Sequence, residues 1–289
     1  MNHICDFSKT NPNKANFQTT GDRGQKQKTK KETIEMRRRE FLAASVAGIA
    51  TAGSLAVARE ETEREYYELR CYHTLARPKN RLVGDFLKDV AIAAMNRIGI
   101  KPVGVFSVKY GPNKPSLYVL MVHKSLASVV NASARLLEDD EFRKSDFVNA
   151  AMPDPMYVRY ESSLMVAFKD MPKLAVPEKK SRIFELRTYE SHSIKAAKKK
   201  IEMFNEGGEI AIFKKTGLQP VFFGETIIGP KLPNLTYMLA FDNMEHRDKS
   251  WAVFGRDPDW QKLRANPTYK DTVSNITDII LQPTSYSQI

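Results

Sequence analysis

The chain has 289 residues, 42% of them hydrophobic and 10% aromatic, enough for a packed core in one large or two small domains. Its formal charge of +11 resembles a polyanion-binding signal until it is divided along the chain: residues 1–58 hold ten Lys/Arg against five acids, which leaves 35 against 29 in the rest. That nearly even balance gives no support for a nucleic-acid partner, and two cysteines, Cys5 and Cys71, of which only Cys71 lies in the globular part, exclude a disulfide framework there.

Residues 1–35 are polar, rich in Asn, Lys, Gln and Thr, and without an apolar period, the composition of a disordered extension. Met36, just before three arginines, offers an alternative start that would make 1–35 a mis-assigned extension. Residues 36–58 read MRRREFLAASVAGIATAGSLAVA, a charged start, a weakly apolar run and an A-x-A site ending at Ala58. Arg38, Arg39, Phe41 and Leu42 resemble the twin-arginine export motif of bacteria. The expectation is a signal peptide and a periplasmic or other extracytoplasmic location. The alternative is a membrane anchor by an uncleaved signal, since the uncharged run 41–58 reaches the lower length limit for a spanning helix. Its Gly, Ser and Thr interruptions and few large apolar residues weigh against that.

Residues 67–73 alternate and are rich in aromatics, which predicts a strand. From 80 to 98, Leu82, Phe86, Leu87, Val90, Ala94 and Ile98 recur at helical spacing, and Gly99 stands where a C-cap belongs. Residues 102–110 and 116–123 form a hairpin pattern around Gly111-Pro112-Asn113-Lys114-Pro115. A less regular helical stretch, 126–151, restarts near Asp139, and a last strand covers 157–168. Residues 170–181, with Pro172, Pro177 and several lysines, read as a linker.

The same order then recurs. Glu185-Leu186-Arg187 repeats Glu68-Leu69-Arg70 at an offset of 117. Gly217, Pro220 and Val221 repeat Gly99, Pro102 and Val103 at 118, as Gly229, Pro230 and Pro233 repeat Gly111, Pro112 and Pro115. Asp257 and Trp260 repeat Asp139 and Phe142. Ala197, Ile201, Phe204 and Ile212 mark the second unit's helix face, which the stretch 205–209 breaks or kinks. The lysine run 198–200 reads as a solvated helix face, and Trp251, Phe254 and Trp260 read as core. Each unit, 66–169 and 182–283, is thus β-α-β-β-α-β, the ferredoxin-like arrangement. One such sheet leaves a face bare. The predicted fold is therefore α+β, two tandem ferredoxin-like units packed bare face to bare face as an internal pseudo-dimeric α/β barrel.

The Glu-Leu-Arg-x-Tyr strand, the Gly-x-x-Pro-Val helix end, the Gly-Pro-x-x-Pro hairpin and the Asp-x-x-Phe/Trp segment together resemble the NIPSNAP family in tandem form, over about three-quarters of the chain. The resemblance implies the dimeric α/β-barrel superfamily, which includes cofactor-independent monooxygenases, haem enzymes and small stress-response proteins. It implies no single reaction. The function expected is that of an exported NIPSNAP-type protein binding a small ligand or a partner through the interior or clefts of the barrel. The alternative is a cofactor-independent monooxygenase-like enzyme acting on a small organic substrate.

Strand alternation sets Tyr67, Leu69 and Cys71 on one face and Glu68, Arg70 and Tyr72 on the other, with Phe184, Leu186 and Thr188 opposite Glu185, Arg187 and Tyr189 in the second copy. The apolar sets are expected under the helices and the polar sets in the space between the sheets. There they form either an ion-pair network, Glu68 pairing with Arg70 or across the pseudo-dimer axis with Arg187, or a ligand site. In the second case an arginine holds an anionic group, Tyr72 or Tyr189 donates a hydrogen bond and a glutamate acts as base. No catalytic residue is singled out. His3, His73, His123, His192 and His246 show no metal-binding spacing, and His73 and His123 read as strand-end histidines rather than haem ligands. P-loop, nucleophile-elbow and dinucleotide motifs are absent, so neither a metal nor a cofactor is expected. The partners expected are a small-molecule ligand and further copies of the chain, with no nucleic acid and, after signal removal, no membrane.

Overall fold

A computed structural model describes residues 63–74 and 77–289. The twin-arginine residues Arg38, Arg39, Phe41 and Leu42, the Ala58 site and the extension 1–35 lie outside the described residues. Alternating aromatic and aliphatic stretches form the strands β1 Tyr66–His73, β2 Val103–Tyr110, β3 Ser116–His123, β4 Arg159–Ala167, β5 Ile183–Glu190, β6 Gln219–Ile228, β7 Asn234–Phe241 and β8 Asn275–Pro283. Between β1 and β2, α1 (Arg77–Phe86) passes through a π-helical turn, Leu87–Ala91, into α2 (Ile92–Arg97). After β3 come α3 (Leu126–Glu138) and α4 (Asp140–Arg143). The second unit has α5 (Ile194–Phe204), α6 (Glu209–Lys215), α7 (Met244–Arg256) and α8 (Pro258–Arg264) in the same places.

Local chemistry sets the helix ends. Ser125, Ser193 and Asn243 each accept a backbone N–H three residues on, at the starts of α3, α5 and α7. Asp139 and Asp257 accept the N–H of Phe142 and Trp260, which is why a second short helix begins at each. The 205–209 stretch breaks the helix as expected: α5 ends at Phe204, and Gly208 starts α6 with φ +83°.

All strand pairs are antiparallel, and the order β1-β3-β2-β8-β5-β7-β6-β4 closes into a barrel. The units meet at two seams, β2 with β8 and β4 with β6. The α+β tandem arrangement is thus as expected, and closure removes the free edges each sheet would otherwise present. Three apolar clusters result: one inside the barrel and one beneath the helices of each unit. Among the described residues no helix is long and apolar enough to cross a membrane.

The faces of the two Glu-Leu-Arg strands are the reverse of the expectation. Tyr67, Leu69, Cys71, Phe184 and Leu186 belong to the interior cluster with Phe106, Phe222 and Met238. Tyr72 and Tyr189 belong to the clusters under the helices, and Glu68, Arg70, Glu185 and Arg187 share their strand face. The reason is physical. An eight-stranded barrel encloses only enough space for interlocking side chains, where charges would find few partners. On the helix side Glu185 gains Arg247 and Trp251 of α7, while Glu68 is met by Arg70, Ser162 and His123 of its own sheet. Neither glutamate pairs across the units: Glu68 joins Arg70, and Glu185 joins Arg187.

The lysine run also needs correction. Lys200 is 5% exposed, because α5 buries Ala196, Ala197, Lys200, Met203 and Phe204, one stripe at helical spacing. Its ammonium is bonded to buried Glu209 at 2.7 Å.

The barrel's two ends differ. At one, the segment after each unit's last strand crosses onto the other unit: Ala175 N–H donates to Val221 and Gln288 N–H to Val103. Leu174 and Ile289 then pack against the interior cluster and plug that end. At the other end both Gly-Pro hairpins lean across a seam. A Cβ on Gly111 (φ +133°) would meet Ile279 of β8 at 3.1 Å, and one on Gly229 (φ +155°) would meet Ser163 of β4 at 2.8 Å. These two glycines allow the close approach.

Candidate functional site

The six residues singled out from sequence form two separate clusters, one under each helix layer. In the first unit Glu68 Oε1 accepts from Arg70 Nε at 2.5 Å and from Ser162 Oγ at 2.8 Å. Its Oε2 lies 3.7 Å from His123 Nε2, and His123 Nδ1 is 3.0 Å from Ser128 Oγ. The Arg70 guanidinium sits 5.2 Å over the Tyr160 ring. Tyr72 packs among Phe147, Tyr157 and Tyr160.

Burial by itself would raise the Glu68 carboxyl, but His123, Arg70 and Ser162 hold it down at about 2. A carboxylate whose pKa is depressed in the fold contributes stability that is present above its unfolded value and lost as the pH falls through its folded one. From 4.5 to about 2, that contribution is about 3 kcal/mol. The expected result is a loss of stability between pH 4.5 and 2 that Glu68→Gln flattens by about that amount in acid unfolding curves. Parallel curves for the two proteins would refute it.

The second cluster is more heavily bonded. Glu185 is 0% exposed. Its Oε1 accepts from Arg187 Nη1 at 3.1 Å and Arg247 Nη2 at 2.7 Å, and its Oε2 from Arg247 Nε at 3.0 Å and Trp251 Nε1 at 2.7 Å. Arg187 lies 4.7 Å over the Trp251 ring, and the hydroxyls of Tyr189 and Tyr237 meet at 2.9 Å. Burial pushes both phenols above their ordinary range. With two bonds at each oxygen, Glu185 has no lone pair to offer as a base. Trp251, read from sequence as core, is also a hydrogen-bond donor. The second set bonds its sheet to α7, whereas the bonds of the first stay within the sheet.

The barrel interior provides a different site. At the hairpin end lies a cavity of about 130 Å³ lined by both units. Duplicated positions face each other across it: Leu69 and Leu186, Cys71 and Thr188, Tyr118 and Thr236, Pro112 and Pro230, Asn113 and Lys231. Ile279 completes an apolar floor. Above it stand neutral polar groups. Thr188 and Thr236 hydroxyls are 2.9 Å apart, Thr226 donates to Asn234 at 2.6 Å, and Asn113 donates to the Tyr118 hydroxyl at 3.4 Å. The rim charges already have partners: Glu161 lies 3.3 Å from His73 and 3.7 Å from Arg159, and Lys231 lies 3.5 Å from Glu190. Burial raises the Cys71 thiol and the Tyr118 phenol, so both stay protonated near neutral pH. Cys71 is therefore a hydrogen-bonding wall, not a thiolate nucleophile. Among the described residues no group of three or more His, Cys, Asp or Glu could hold a metal ion. The repeated Gly-Pro hairpins were the one sequence signal for this site, legible only once the faces are inverted.

The NIPSNAP family profile matches this chain twice, over residues 67–172 and 184–288. No curated protein matches it. Among solved structures, a protein provisionally named a monooxygenase from Lactobacillus acidophilus NCFM is 10% identical with a TM-score of 0.51, covering 76% of this chain and 94% of its own. A second protein so named, from Fusobacterium nucleatum, is 10% identical with a TM-score of 0.50, over 77% and 93%. An uncharacterized NIPSNAP-like domain protein from Burkholderia xenovorans is 24% identical with a TM-score of 0.34, over 38% and 92%. The first two likenesses show a shared fold. With a family unit in each half of its barrel, the chain belongs to the NIPSNAP family.

Proposed function

We propose that this protein binds a small, neutral, mainly apolar molecule with one or two hydrogen-bonding groups in the mouth of its barrel. The observation that carries this is the cavity itself: an apolar floor of Leu69, Leu186 and Ile279 beneath neutral hydroxyl and amide groups, at the barrel end opposite Leu174 and Ile289. Its 130 Å³ approaches the roughly 150 Å³ of a cavity known to accept benzene. The paired rim charges favour a ligand without net charge. Export is carried as part of this reading, on the residues Arg38, Arg39, Phe41 and Leu42 alone.

Thr188→Trp tests the site by filling it. Mass spectrometry of small molecules held by the purified protein should find species enriched on the wild type and lost from the variant. Overpacking costs about 1–3 kcal/mol, so the variant should stay folded. The same species on both proteins, or none on the wild type, would overturn the proposal. Oxygen consumption with the captured molecule would separate turnover from binding.

A further inference from the structure

At the plugged end of the barrel, residues 176–181 of the linker, Arg182 at the start of the second unit and residues 282–289 line a second cavity, of about 500 Å³. One wall is Arg182, only 4% exposed. Its Nη2 donates to the Glu178 carbonyl, and its own carbonyl accepts from Gln282 Nε2 at 3.1 Å. Among the described residues no carboxylate lies within 4.0 Å of its guanidinium. Asp242, whose carboxyl feels the Arg182 charge, is held instead by Lys180 at 2.8 Å. Lys179 lines the same cavity, likewise with no carboxylate within 4.0 Å among the described residues, and Glu178 brings the facing acid.

This arrangement departs from its own repeat. At an offset of 117, Arg182 corresponds to Glu65. The Glu65 carboxylate accepts the Leu174 N–H at 2.7 Å and the Tyr67 hydroxyl at 3.4 Å, so there the side chain is absorbed in holding the linker. Arg182 spends one donor on the linker and is itself part of a cavity wall. A guanidinium cannot shed its proton, and holding it out of water with no carboxylate in contact is costly. An anion in the cavity removes that cost.

We propose that this cavity is a second site, for a metabolite-sized molecule bearing a carboxylate or phosphate. Arg182 is the bidentate anchor, with Lys179, Ser181 and Ser285 around it. The volume falls in the range of small-molecule sites. It is separate from the barrel mouth, with no residue common to the two cavities.

Succinate and inorganic phosphate, titrated calorimetrically into the full chain at constant ionic strength against chloride, are the probes. At least one should bind saturably, and whichever binds more tightly identifies the group. Arg182→Gln keeps a donor for the Glu178 carbonyl and removes the charge; it should weaken binding at least about tenfold, and Lys179→Gln about threefold. Thr188→Trp should leave it unchanged. Absence of saturable binding by either probe, or equal affinity in Arg182→Gln, would overturn the proposal. Should Arg182→Gln not fold, undiminished affinity in a Lys179→Gln/Ser285→Ala double variant overturns it equally.

Discussion

Glu185→Ala is expected to destabilise the protein by about 3–5 kcal/mol, the range for breaking a buried charge pair from one side. The carboxylate is fully buried and accepts four hydrogen bonds. Its removal strands two guanidiniums and an indole N–H between sheet and helix. At roughly 2–4 °C per kcal/mol for a fold of this size, the melting temperature should fall by about 10 °C. Arg187 and Arg247 would repel each other with no carboxylate between them, so the variant should also unfold with stronger salt dependence. A thermal melt within about 2 °C of wild type would show that the network contributes little.

The second large effect concerns the buried pair Lys200–Glu209, which only the second unit has. The first unit places fully buried Val83 at the position of Lys200, and Ala91 and Ile92 at that of Glu209. The ammonium sits 2.7 Å from the carboxylate and 4.6 Å over the Phe204 ring, with Tyr189 and Trp260 also close. Glu209 is 2% exposed, and burial raises its carboxyl above the ordinary range even with Lys200 beside it. Lys200→Met should therefore cost about 3–5 kcal/mol at pH 8. The sign with pH follows. An acid whose pKa is raised in the fold costs stability as the pH rises through its unfolded value, so the loss should shrink toward pH 5 as Glu209 takes a proton. The double change Lys200→Met/Glu209→Leu, which copies the first unit's chemistry, should return to within about 1 kcal/mol of wild type. Urea unfolding of the three proteins measures this. A double variant as weak as the single would show that the pair is worth more than the apolar packing that replaces it next door.

Much of the fold could be read from the chain because its cues are local and occur twice. Asp139 and Asp257 each mark a helix restart by accepting a backbone N–H three residues on. Gly99 and Gly217 supply positive φ, +87° and +85°, at two helix ends. The face of the Glu-Leu-Arg strands was not legible for a different reason. Alternation separates two faces but does not say which one meets the helices, and in a closed barrel covered by helices both are buried. Hydrophobicity then stops reporting inside from outside. What decides is where hydrogen-bond partners arrive, and for Glu185 they come from Arg247 and Trp251, 62 and 66 residues away. Lys200 misled similarly: a run of three lysines looks solvated, but the helix stripe through Ala196, Ala197 and Phe204 carries the third inward.

With the polar strand residues on the helix-facing side of each sheet, the ligand site proposed for this protein is the barrel mouth, which both units line. A crystal soaked with p-cresol, a neutral ring with one hydroxyl, tests that assignment most directly. The mouth site predicts the ring against Leu69, Leu186 and Ile279, with its hydroxyl among Tyr118, Thr188 and Thr236. p-Cresol bound only under a helix layer beside Arg70 or Arg187, or an empty mouth at saturating concentration, would contradict it.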